Sequence, residues 1–526
     1  MLLSIKSASL TIAFALFACI SLLPVAVMLA ESFSIQEGPS LSNYTSIIMD
    51  ARQQVLLKNS VILSTAAALL ATLLGAGLGF VLARMDLRYK RLLRFLLVIP
   101  LLVPPYILGV VWIFVSGRNG LIARLIGYDL ISDWTYSLIG ASIVMTLALF
   151  PLPMLITEAA LRRINTRLEE AALISASGLR VLLRITLPLI ARAVFAGALL
   201  VFILTIAEFG VPALLRVRVF ATEVFTQFAA FFNFGAATAV ATPLILSTLV
   251  VALLARPILS EEISRQRMSG WGSQRLRVTD RWKMAALMGT VLVLLVATIL
   301  PVLALGVQAA EVSGLINQVR SSSSEIFNSI SLSAIVATLA IAIGLMLGYA
   351  RAQTRWRGLI DVLMIAIFAT PSTIIGIGLI NIWNRPGLFS AVYGSWTIVV
   401  IAHLARLIPV AALILSGYLA QMPRSAEEAA DVAGSGWWRT LTRIIIPMNQ
   451  PGIVAAWIVI FIFSFGELGA TVLVSPAGSS TLPVRIYTIM ANSTDAVVAA
   501  LCLIQIVATL IPLVMLMLIA QTKILN

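Results

Sequence analysis

Long apolar stretches alternate with short polar segments along the whole chain, and each stretch is about the length that crosses a bilayer as a helix. Six lie near 8–30, 60–83, 95–115, 137–156, 189–209 and 237–255, and six more near 285–308, 330–350, 359–382, 395–416, 452–469 and 497–520. The pattern predicts an all-α polytopic membrane protein with twelve transmembrane helices in two halves of six. The first half takes residues 1–256, a polar linker 257–283, and the second half 284–526. The first stretch follows Lys6 and exceeds a signal-peptide core, so it reads as a retained helix. Pro104-Pro105 and Pro371 are expected to kink the third and ninth helices at matched depth.

The polar segments repeat as well. Glu169-Glu170-Ala171-Ala172 is followed by Gly178 and by Arg184-Ile185-Thr186-Leu187-Pro188. Glu427-Glu428-Ala429-Ala430 is followed by Gly434, Gly436 and Arg443-Ile444-Ile445-Ile446-Pro447. Asn59-Ser60-Val61-Ile62-Leu63-Ser64 matches Asn328-Ser329-Ile330-Ser331-Leu332-Ser333, and Arg84 precedes Pro104 by the spacing at which Arg351 precedes Pro371. Repeats that start on the same side of the membrane imply a pseudo-two-fold along its normal, with a path on the axis. The Ala-rich segments, near 157–188 and 417–447, have strong helix propensity. Gly178 or Gly436 is expected to break each helix and permit a tight turn. Pro188 or Pro447 then suits the first turn of the helix re-entering the membrane. Alone, each segment could be an ordinary interfacial amphipathic helix.

Composition agrees with a membrane protein: 60% of residues are hydrophobic, 11% are charged and the mean hydropathy is +1.04. The 36 basic residues against 22 acidic ones are spread over alternate loops, which indicates the positive-inside bias and not nucleic-acid binding. Residues 84–94 and the linker, with Arg265, Arg267, Arg275, Arg277, Arg281 and Lys283, fall in the cytoplasm on this reading, as do both termini and both Ala-rich segments. Cys19 and Cys502 lie in apolar runs and read as packing residues. One histidine, His403, rules out a His-rich metal site. His403 and Arg406 share a helix face and are expected to make structural pairings inside the bundle. Asn381 and Asn384 are expected at the external end of helix nine.

The paired segments resemble the EAA loop of type I ABC-importer permeases, and the resemblance extends over nearly the whole chain. It implies that each segment is a helix docking into a groove of an ATPase. Glu170 and Glu428 would pair with groups of that partner, and Ala171, Ala172, Ala429 and Ala430 would permit close approach. Gly178 and Gly434 would serve the turns, and Arg180 and Arg439 would flank the dock. Ala176 stands where the other copy has Gly434, and one residue is missing before Arg184, so the two docks are expected to differ. No phosphate-binding loop of the Gly-x4-Gly-Lys-Ser/Thr kind occurs in the chain. ATP and Mg are therefore expected on two copies of a separate ATPase, and no cofactor on this chain. A periplasmic solute-binding protein and membrane lipid complete the expected partners of an inner-membrane, non-enzymatic transport subunit.

Two acids, Glu208 in Ala207-Glu208-Phe209-Gly210 and Glu467 in Gly466-Glu467-Leu468-Gly469, end the fifth and eleventh helices at equivalent places. Ionisable groups at such depth are costly and are usually functional. Related by the pseudo-two-fold, they should face one another across the path, where paired carboxylates suit a hard cation. The alternative is that each acid braces its own loop, with Arg216, Arg218 or Arg485 as partner. The flanking Glu-Phe-Gly-Val-Pro and Glu-Leu-Gly-Ala-Thr, with Leu482-Pro483-Val484-Arg485-Ile486-Tyr487, resemble the ferric-iron permeases of the iron(III)/thiamine/polyamine group. That resemblance implies ferric iron as cargo, with Glu208 and Glu467 as substrate-path residues and transient metal ligands. Thiamine, a polyamine or a phosphonate are the cargo alternatives. An ion-coupled secondary transporter and a non-transporting scaffold are the alternatives of other classes.

Overall fold

The computed structural model describes residues 2–35, 38–39, 44–45, 49–118, 120–126, 132–164, 166–265, 280–310, 319–354 and 357–525. Helices dominate, and strand pairing among the described residues is limited to Ser34–Ile35 against Gly38–Pro39. Nine described helices are long and apolar enough to cross a membrane, and three bent pairs bring the number to twelve if each pair is one span. The expected pattern of spans is therefore present, with differences at the prolines.

At the third and ninth spans the chain does more than kink. Lys90–Leu102 stops and Pro105–Ser116 begins, with Val103 and Pro104 extended between them. Arg357–Ala369 and Ser372–Trp383 meet at 92°. Pro104 and Pro371 have nearly the same backbone angles, φ −53 ψ 134 and φ −52 ψ 133. A proline lacks its N–H and pushes the residue before it toward extended backbone, which ends one helix and starts another. Asn384 caps the end of the Ser372–Trp383 helix, and Asn381 lies in its last turn.

Four other prolines follow wider turns within a continuing helix. π-helical turns occupy Ala18–Leu22, Leu182–Thr186, Leu295–Ile299 and Leu441–Ile445. A proline follows each of them two residues on, at Pro24, Pro188, Pro301 and Pro447. The wider turn accommodates the missing donor and the ring's clash with an earlier carbonyl. Consequently Pro188 and Pro447 do not open the fifth and eleventh helices. In the first half the helical path begins at Gly178 and runs through the π turn into the span, whereas in the second it begins at Trp437, passes the π turn and bends by 77° at Asn449 before Gln450–Phe465.

The halves are interlocked. The first span of each half lies against the broken third span of the other. A Cβ on Gly378 would meet the Pro24 carbonyl oxygen at 2.5 Å, and the Thr298 hydroxyl donates to the Leu96 carbonyl at 3.1 Å. Within each half the second and fourth spans pack through glycine. A Cβ on Gly75 would lie 2.4 Å from the Phe150 carbonyl oxygen, and one on Gly344 would lie 2.7 Å from the Ala411 Cβ.

The serine of the repeated Asn-Ser motif caps Phe220–Ala229 in the first half and Leu482–Ile489 in the second, the second short helix after the fifth or eleventh span. Phe220 N–H donates to the Ser60 hydroxyl at 2.8 Å, and Leu482 N–H donates to the Ser329 hydroxyl at 2.7 Å. Cys502 is buried, whereas Cys19 is exposed and does not pack as expected. The sixth helix continues to Arg265. Residues 266–279 of the expected linker, with Arg267, Arg275 and Arg277, lie outside the described residues, as does Arg355, and the linker's last residues already belong to the helix Asp280–Leu294.

Candidate functional site

Two constellations lie on the pseudo-two-fold. The first is a central cavity of about 110 Å³. Both acids line it, together with Tyr106, Phe368 and Arg406. The fifth span ends at Ile206, and the chain turns through Glu208 into the short Gly210–Leu214 helix. The eleventh ends at Phe465 and turns through Glu467 into Thr471–Val474. Glycine is required at these turns by close approach. A Cβ on Gly466 would stand 2.6 Å from Pro104 of the other half, and one on Gly210 would stand 2.8 Å from the Tyr106 Cβ.

The two acids share the cavity but not their surroundings. Arg406 Nη1 donates to Glu467 Oε2 at 2.6 Å, and Ala470 N–H donates to Glu467 Oε1 at 3.2 Å. Glu208 Oε1 accepts from Gly210 N–H at 2.9 Å, and among the described residues Glu208 makes no ion pair. The arginine that holds an acid is thus Arg406. Arg485 instead lies 4.0 Å from Glu325, and Arg216 and Arg218 are exposed around an outer cavity. His403 and Arg406 both reach from the tenth helix to the eleventh and its turn. His403 is held by the Ser464 and Thr471 hydroxyls at 2.8 Å each. On the register set by Pro151 and Pro409, the first half has Met145 and Ala148 in their places. The site therefore has two acids and one arginine.

The second constellation is the pair of Ala-rich segments, the helices Thr166–Leu173 and Arg424–Val432. Glu170, Ala171, Glu428, Ala429, Arg180 and Arg439 are exposed, Ala172 is half-buried and Ala430 is buried. The turn glycine is Gly434, at φ +69. Gly434 N–H donates to the Asp431 carbonyl, and Ser435 N–H donates to the Ala430 carbonyl at 2.9 Å, a left-handed cap that strongly favours glycine. Gly436 takes an ordinary extended conformation at φ −72. Gly178 has no left-handed backbone either, and it begins the next helix. Neither Gly178 nor Gly436 makes the expected turn. In the first copy Ala176 N–H simply continues the helical pattern to the Ala172 carbonyl.

Sequence reasoning missed two features here. The first is an apolar tip: Ile174 is 89% exposed and Val432 is 91% exposed, and they are equivalent positions at the ends of the two segments. The signal was an aliphatic residue four places after Glu170 and after Glu428. The second is the anchoring of each segment by its first glutamate. Buried Arg84 pairs with Glu169 at 2.8 Å, and the Thr186 hydroxyl donates to the same carboxylate at 2.7 Å. On the register of Asn59/Asn328, Gly75/Gly344 and Gly79/Gly348, Gln353 takes the place of Arg84. Gln353 Nε2 indeed donates to Glu427, at 3.3 Å. Arg351, the counterpart suggested by proline spacing, pairs with Asp361 instead. The missing charge comes from the chain's start. Lys6 Nζ donates to the Tyr349 hydroxyl at 2.6 Å, which donates to Glu427 at 2.6 Å, and Lys6 lies 5.2 Å above the Trp437 ring.

Comparison with known proteins agrees with this duplicated geometry. The family described as "Binding-protein-dependent transport system inner membrane component" matches twice, over residues 75–260 and 340–524. A putative ferric transport system permease protein of Haemophilus influenzae is 22% identical over 85% of this chain and 77% of its own. A second, an Fe(3+)-transport system permease protein of the same organism, is 24% identical over 88% of each chain. A putative 2-aminoethylphosphonate transport system permease protein of Salmonella paratyphi A is 31% identical, but over only 27% of this chain.

Proposed function

Since the chain belongs to the family of binding-protein-dependent transport system inner membrane components, we propose that it is the fused permease of an ATP-driven importer whose cargo is ferric ion. As a member of that family it is a multi-pass inner-membrane transport subunit. The observation that carries the cargo is the pair of matched carboxylates in one central cavity. Carboxylate oxygens suit a small hard trivalent ion. The two Haemophilus relatives over most of the chain are described as ferric permeases, which supports the same cargo.

In this reading the Ala-rich segments are coupling helices, and each docks one of two ATPase subunits on the cytoplasmic side. Glu170 and Glu428 stand exposed for the partner's cations, Arg180 and Arg439 flank them, and Ile174 and Val432 enter the groove. ATP and Mg are bound by the ATPase and this chain carries no cofactor. Both termini are cytoplasmic, and a periplasmic binding protein delivers cargo to the opposite face. ATP closes the ATPase pair and draws the coupling helices together. Each coupling helix is followed by a second helix, which in the first half runs from Gly178 through its π turn into the fifth span and in the second half runs from Trp437 to a 77° bend at Asn449 before the eleventh, so the motion reaches Glu208 and Glu467 at the far ends of those spans. The path then opens outward, and hydrolysis resets it. Two rigidly anchored, equivalent docking helices have no use in a secondary transporter or a scaffold.

The test is uptake by vesicles reconstituted with this chain and its ATPase. They carry ATP inside and the loaded cognate binding protein outside. Ferric uptake that stops without ATP is expected. ATP-driven uptake of thiamine, spermidine or 2-aminoethylphosphonate in its place would overturn the cargo. Uptake driven by an ion gradient without ATP would overturn the class.

A further inference from the structure

We propose that Arg406 is a tethered cation. It fills the cation site between Glu208 and Glu467 while the path is closed, and cargo enters by displacing it. This deepens the reading above and rests on it for the role of the two acids as path residues.

The argument starts from charge and position. Arg406 is on the tenth helix, its side chain is 19% exposed, and it lines the same cavity as both carboxylates. Its guanidinium bonds Glu467 directly and lies within electrostatic range of Glu208. Two bare carboxylates lining one largely apolar cavity would repel, and each would lack much of its water. One guanidinium in the same cavity, bonded to one of them, offsets part of that cost. The pseudo-symmetric position is Ala148, so the closed site carries one cation for two acids. That leaves a residual negative charge, which still favours a positively charged visitor over an anion.

A tethered cation must also be able to leave. Arg406 makes a single ion pair, through Nη1, and its buried Nε has no hydrogen-bond partner among the described residues. The Phe368 ring lies 5.7 Å from the guanidinium carbon, on the rim of the same cavity. An aromatic face is a resting place for a displaced guanidinium. Glu467 keeps its Ala470 N–H when the arginine withdraws. Glu208, held only by its own turn, needs no partner to be broken before it can bind cargo. The device sets specificity by charge. A monovalent cation gains too little from two carboxylates to expel a cation already there, whereas a trivalent ion gains roughly three times the Coulomb energy at a given distance.

The probe is terbium(III), a hard trivalent ion whose luminescence is sensitised by nearby aromatic rings such as Tyr106. Titrations on the purified full chain in detergent would compare wild type, Arg406→Gln, Arg406→Lys and the double variant Arg406→Gln/Glu208→Gln. The expected result is terbium binding at least tenfold tighter in Arg406→Gln and about threefold tighter in Arg406→Lys, which keeps a charge but loses the fork. The gain should vanish in the double variant. Should Arg406→Gln fold poorly, the Arg406→Lys titration decides alone. Equal affinity in wild type and both single variants, or a gain that survives Glu208→Gln, would overturn the tethered cation. Terbium binding needs no ATPase and no transport. Absent ferric uptake by wild type alongside a normal terbium gain would therefore indict the cargo assignment and leave this inference standing.

Discussion

Replacing Ile174 and Val432 together with aspartate is expected to weaken binding of the ATPase by about a hundredfold or more, with the chain still inserted and folded. Both side chains are about nine-tenths exposed and sit at the ends of the two segments, away from the bundle's core. On the cytoplasmic placement proposed above, such exposure marks a surface that a partner covers. Burying one aliphatic side chain of this size contributes about 1.5–3 kcal/mol. Two of them contribute about 3–6 kcal/mol, and aspartate adds the cost of desolvating a charge. Each single variant should lose about tenfold or more and should retain one docked subunit. The measurement is titration of the ATPase onto detergent-solubilised chain, with thermal unfolding as the control for folding. Unchanged affinity in the double variant would remove the tips from the interface. Changing Gly434 to alanine probes the same dock more gently. Its φ of +69 costs a non-glycine residue about 1–2 kcal/mol, which loosens the second dock while leaving the first, where Ala176 already stands.

The acids should respond unequally, and this is the second large effect. Glu208→Gln is expected to reduce ferric uptake at least tenfold with no loss of thermal stability, because Glu208 holds only its own turn. An amide oxygen is a poor substitute for carboxylate on a hard trivalent ion. Glu467→Gln should reduce uptake too, but it also leaves the Arg406 charge without its partner in a buried site. Breaking such a pair from one side costs about 3–5 kcal/mol. A clear drop in unfolding temperature and in yield should accompany it. Uptake measured at matched protein level separates the two outcomes. Wild-type uptake by Glu208→Gln would remove that carboxylate from the path.

What the sequence showed and what it hid follow from the range of the interactions. The spans were legible because bilayer length and apolarity are local properties, and the duplication was legible because motifs recur in order. The equivalence of Glu208 and Glu467 followed from spacing alone, and both do line one cavity. Partners across the bundle were not legible. Nothing in sequence order singles out Arg406 over Arg216, Arg218 or Arg485 as the companion of Glu467. Lys6 reaches Tyr349 from the far end of the chain, because the first span of one half leans on the other. The prolines misled for a different reason. Pro104 and Pro371 end helices, while Pro188 and Pro447 are absorbed by π turns, and backbone geometry decides between these outcomes. Gly434, Gly436 and Gly178 looked alike as letters, yet only Gly434 takes the left-handed backbone.

The central claim is that one chain supplies both docks of a complete permease. The mass of the detergent-solubilised complex with its ATPase, measured intact with a non-hydrolysable ATP analogue, tests it most directly. The account predicts one copy of this chain with two copies of the ATPase, falling to one when Ile174 or Val432 alone is changed to aspartate. Two copies of this chain per complex, or a single ATPase on the unaltered chain, would contradict it.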